Sequence, residues 1–120
     1  MTVKWPDRRA DVLNGLDALA AEPFLDIGGT DQRWPDLKNA VHWVVDDTGW
    51  DMTDPADSVG TLLVDRPEVE AVETVVALVV DVSGRVGAEA SDDAWCSDAA
   101  WPAVRAAASR AADLLRRHDW

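Results

Sequence analysis

The densest concentration of groups able to do chemistry lies in residues 46–57, where Asp46, Asp47, Asp51, Asp54 and Asp57 stand with no Lys or Arg among them. Oxygen-rich runs of this kind can ligate calcium or magnesium. An EF-hand calcium loop, however, needs acids at alternate positions, a central Gly and a distal Glu, and the spacing here does not follow that order. The same residues have structural uses. Thr53 or Asp54 can accept from the free amides of a following helix, Asp51 can satisfy turn amides, and Trp50 can close the core between two helices. No metal is therefore assigned to the run.

The remaining reactive side chains form no constellation. His42 and His118 fall on different expected helices, and a lone helical His beside Trp43 reads as a packed or hydrogen-bonded structural residue. Ser58, Ser83, Ser91, Ser97 and Ser109 lack the Gly-x-Ser-x-Gly setting of an activated nucleophile. Gly28-Gly29 and the Gly84, Gly87 pair do not follow a strand in the manner of a phosphate loop. Cys96, the single cysteine, cannot form an intramolecular disulfide and reads as a small apolar residue, in keeping with a reducing compartment. The chain is expected to have no catalytic residues, no bound cofactor and no metal, and not to be an enzyme.

Charge and aromatic supply point instead to recognition. Eleven Lys plus Arg against 23 Asp plus Glu give a net charge of −12, a field that repels nucleic acid and anionic membranes and favours a basic protein as partner. The same acidity also serves solubility. Seven Trp with no Tyr and one Phe require that most indoles be core, so any exposed Trp marks a binding surface, since Trp covers much area with few rotatable bonds. Trp95, in a loop, and Trp120, at the terminus, are the expected exposed pair. With Asp46, Asp47, Asp51 and Asp57 they make the candidate interaction surface.

These residues must be carried by helices. Val12, Leu13, Leu16, Leu19 and Ala20 recur at three-and-four spacing and predict a helix over residues 6–21. Pro23 and Gly28-Gly29 make residues 22–33 a loop. Leu37, Ala40, Val41, Val44 and Val45 predict a second helix ending near Gly49. Asp54-Pro55 is a helix start, because Asp accepts from first-turn amides and Pro lacks an N–H that would be orphaned there; a short helix over residues 55–63 follows. Asp65-Arg66-Pro67-Glu68 repeats that logic and resembles a capping box.

The segment beyond it is rich in Val, which also suits a buried strand. Its polar stripe of Glu70, Glu73, Ala77 and Asp81 has helical spacing, and the length exceeds that of ordinary strands, so a helix to about Ser83 is predicted. Residues 83–100 read as an excursion with one short turn of helix. Residues 102–118 predict a final helix with Val104, Ala107, Ala108, Ala111, Leu114 and Leu115 on one side. Trp5-Pro6, Trp34-Pro35 and Trp101-Pro102 each precede a predicted helix, and each Trp is expected to fold over the first turn as an apolar cover.

At 120 residues the chain has room for one core and is expected to be a single domain, 1–120, of all-α class: a compact bundle of four to six helices. The longest apolar run, residues 75–80, is far too short for a bilayer. The opening residues lack the apolar stretch of a secretory signal, so a cytoplasmic location is expected.

The string Leu37-x-x-Ala40-Val41-His42-Trp43-Val44-Val45-Asp46-Asp47-Thr48-Gly49-Trp50-Asp51, followed by Asp54-Pro55-Ala56-x-x-Val59-Gly60-Thr61, resembles a family of small, acidic, functionally uncharacterised actinobacterial proteins. Trp101-Pro102-x-Val104 and the alanine-rich last helix fit as well, so the resemblance covers most of residues 7–115. It implies an α-helical domain and brings no functional residue with it. The sequence thus predicts a non-catalytic interaction domain, immunity- or inhibitor-like in one form, that binds a basic protein. Two alternatives stand beside it: a metal-dependent enzyme or metal-binding domain using residues 46–57 with His42, and a structural subunit that self-associates through the Val-rich helix.

Overall fold

The computed structural model describes residues 3–20, 41, 44–45, 48–50, 52–87 and 92–117. Among these residues there are four α-helices and no strand: α1 (Pro6–Ala20), α2 (Arg66–Val86), α3 (Asp92–Cys96) and α4 (Trp101–Arg116). A 3-10 turn, Pro55–Ser58, precedes α2. The all-α bundle expected from the sequence is the observed architecture.

α2 is the 21-residue axis of the bundle. Its start follows the chemistry read from Asp65-Arg66-Pro67: the Asp65 carboxylate accepts from the Glu68 amide at 3.2 Å, and Pro67 sits in the first turn. It buries Val69, Val72, Val75, Val76, Val79 and Val82 on one face. The helix continues one turn past Ser83 to Val86 and stops at Gly87, whose φ of +93° is accessible to glycine and whose N–H donates to Ser83 O. The expected loop from residue 83 is therefore helical at its start.

α4 packs on both α2 and α1. Val104, Ala108, Ala111, Ala112 and Leu115 are its buried face, and the small alanines let neighbouring helices come close. α1 contributes Val12, Gly15, Leu16 and Leu19. These residues, with Trp50, Leu62, Leu63, Trp95, Trp101 and the α2 valines, form one continuous apolar core. The Val-rich face of α2 is covered within the chain, which leaves Val80 as the exposed large hydrophobic residue of that helix.

The helix expected over residues 55–63 is cut short. The amides of Thr61, Leu62 and Leu63 and the Thr61 hydroxyl all converge on the Ser58 carbonyl, and Gly60 takes φ +95°. This reversal buries Leu62 and Leu63 instead of continuing a helix past them. The N-terminal residues lie along the same turn, with Lys4 N donating to Gly60 O at 2.9 Å and Trp5 N to Thr61 O at 3.0 Å. The helix expected over residues 37–49 falls largely outside the described residues; Val44 and Val45 of it are buried in the core.

Candidate functional site

The turn segment before α2 is built by its own side chains. Thr48 Oγ1 donates to Val44 O at 2.7 Å and accepts from Trp50 N, while the amides of Met52 and Thr53 donate to the carbonyl of Gly49, which has φ +74°. Trp50 is buried and its indole N–H donates to Ser58 Oγ at 3.0 Å, so it closes the core as its position suggested. Asp54 accepts from Ala56 N at 2.9 Å, the expected cap, and Pro55 is buried behind it. Asp57 points its carboxylate to solvent from the outer side of this turn.

Of the candidate interaction residues, Asp57 is on the surface as expected. Asp46, Asp47, Asp51 and Trp120 lie outside the described residues, as do His42 and His118. Trp95 is a correction: it is 5% exposed, not a surface residue. The short helix α3 turns its indole inward, where it meets Trp101 edge to face with ring centroids 6.5 Å apart and donates from Nε1 to Gly87 O at 3.1 Å. A Trp in a sequence rich in Gly and Asp looked like a loop residue, but the one-turn helix there gives it an inward face.

Among the described residues the exposed indole is that of Trp5, 45% accessible. Its backbone is bonded to Thr61, and its ring carries Lys4 Nζ at 5.7 Å and Arg8 Cζ at 5.9 Å from the centroid. It does not act as the buried cover expected of a Trp-Pro pair. Trp101 does: it is 2% exposed and opens α4.

The surface electrostatics are uneven. Arg66 pairs with Glu70, Arg85 with Asp81 and Asp98, and Arg116 with Asp17 and Asp113. Among the described residues, Asp7, Asp11, Asp57 and Glu73 are exposed and have no ion pair. Asp98 is held down to about 2, first by the hydrogen bonds from Arg85 and then by the Ala100 amide; the same pairing raises Arg85.

One charged pair was not anticipated at all. Arg9 and Glu68 are both fully buried and face each other through two hydrogen bonds, Nη1 to Oε1 at 2.8 Å and Nη2 to Oε2 at 2.7 Å. Arg9 also donates to Leu62 O and Leu115 O, and Glu68 accepts from Val64 N. The signal was present in the spacing. Arg9 stands three residues before Val12 on the buried stripe of α1, and Glu68 four before Val72 on that of α2.

Among the described residues no group of three or more His, Cys, Asp and Glu is placed to hold a metal ion. No helix there is long and apolar enough to cross a membrane. Among the described residues the arrangement offers outward carboxylates and one fully buried ion pair, Arg9–Glu68. The chain belongs to the family described as Domain of unknown function (DUF7945), whose family model matches residues 3–120. No curated protein and no solved structure matches it.

Proposed function

We propose that the chain is a non-catalytic, acidic protein-interaction domain whose partner is a basic protein, with an immunity- or inhibitor-like role as its most concrete form. The observation that carries this reading is the distribution of ion pairs. Arg66, Arg85 and Arg116 are engaged within the chain; the carboxylates of Asp7, Asp11, Asp57 and Glu73 are exposed and make no ion pair, with Lys4, Arg110 and Arg117 as exposed cations beside them. Added to a net charge of −12, this surface would draw a Lys- and Arg-rich partner through long-range attraction, with fast association that weakens with salt.

The test is a pull-down from the native host at low and at moderate salt, with the wild-type chain and a D7N/D11N/D57N/E73Q variant as parallel baits. A basic protein retained by the wild type and depleted from the variant at low salt, with the difference narrowing as salt rises, is the expected result. Recovery of no basic protein at either salt, or equal recovery on both baits, would remove the proposal.

A further inference from the structure

The core of α2 is almost all valine, and this leaves its register poorly determined by shape. Sliding α2 by three residues, about 4.5 Å along its axis with a rotation of about 60°, would put Val72, Val75, Leu78, Val79 and Val82 where Val69, Val72, Val75, Val76 and Val79 now stand. Only the place of Val82 would receive a charged residue, Arg85, whose long stem can reach water. The buried side of α4 carries Ala108, Ala111 and Ala112 between Val104 and Leu115, and these three small residues offer little relief against such a slide. Other slides are excluded by charge: three residues in the opposite sense would bury Arg66 and Glu73, and four in the same sense would again bury Glu73.

We infer that the Arg9–Glu68 pair is the register lock of this bundle, selecting one packing among near-equivalent ones. In the slipped register Ala71 would occupy the place of Glu68, and the guanidinium of Arg9 would face a methyl group instead of a carboxylate. Two fully buried charges would then be separated, an arrangement far costlier than the change in apolar contacts. The lock also reaches beyond the two helices. Arg9 holds the carbonyls of Leu62 and Leu115, and Glu68 holds the Val64 amide, so the turn before α2 and the end of α4 take their positions from the same pair. A single buried polar contact that fixes register at some cost in stability is a known physical device in helical assemblies.

The experiment compares R9M, E68L and the R9M/E68L double variant by denaturant unfolding and amide NMR. Each single variant is expected to lower the folding equilibrium constant by a factor on the order of a hundred or more, because it strands one buried charge, and the double to recover to within about tenfold of the wild type. The double variant should show a second set of amide resonances for α2 and for residues 58–64. One sharp set superposable on the wild type would overturn the inference. Should the double variant not fold, E68Q is compared with V72A, which weakens the core but keeps the pair. Doubled resonances in E68Q with a single set in V72A support the lock; a single set in both, or doubling in both, refutes it.

Discussion

Arg85 spans from α2 to the segment before α4, giving Nε and Nη2 to the two carboxylate oxygens of Asp98 at 3.0 and 2.6 Å. The same Asp98 accepts from Ala100 N at 2.9 Å, and its own carbonyl accepts from Trp101 N. It therefore organises the first turn of α4, which has no side-chain cap at Ala100. Because pairing lowers the Asp98 pKa from 3.8 to about 2, the folded state favours the ionised form. Its contribution is complete above about pH 5 and is lost as pH falls from there through about 2. D98N is expected to unfold at lower denaturant than the wild type at pH 6, with the gap closing over that acidic window. A gap that stays constant from pH 6 to pH 2 would contradict the assignment.

Trp95, as a loop residue, and Asp57, in the acidic run, belong to one expected surface, but the fold buries the first and exposes the second. Trp95→Ala removes a buried indole packed on Trp101 and is expected to cost about 3–5 kcal/mol. Asp57→Ala, at an exposed position, should shift stability by no more than about 0.5 kcal/mol. Urea unfolding of the two variants side by side measures the contrast.

Ser58→Ala leaves the indole N–H of Trp50 without its acceptor at 3.0 Å, at a site where the ring is 3% exposed. The expected loss is about 1–3 kcal/mol. Tryptophan emission in the native state should change little, since Trp50 remains buried within the apolar core. Chemical denaturation followed by far-UV circular dichroism reads the loss.

Gly60 has φ +95°, and an added Cβ there would meet nothing within 4 Å. Gly60→Ala is thus a test of backbone strain without steric clash, with an expected cost of about 1–2 kcal/mol. Because Gly60 O accepts from Lys4 N and Thr61 O from Trp5 N, hydrogen exchange at those two amides should accelerate in the variant more than exchange within α2.

Much of the scaffold was legible because apolar spacing and caps report local structure directly. Asp65 and Pro67 announce the start of α2, and Leu16 and Leu19 set the face of α1, without reference to any distant residue. The reversal after Ser58 was not legible, since it depends on four donors meeting one carbonyl, and no residue type advertises that. Trp95 misled because its surroundings in sequence are polar while its surroundings in space are Trp101 and the end of α2. Glu68 reads as the acid of a capping box, and nothing local singles out Arg9. Only the insistence that each sits on the apolar stripe, taken together, could have paired them, and partners 59 positions apart in the chain are not visible to periodicity.

The packing of α1 against α4 has a consequence for biosynthesis. α1 is made before α4, yet it packs on α4, which follows after a delay on the order of ten seconds at about 5–20 residues per second. Until then α1 must wait as a short helix with an uncovered apolar side, marginal on its own in water. Closure of this bundle is accordingly a late, long-range event, slower than in helical proteins whose consecutive helices pack in order.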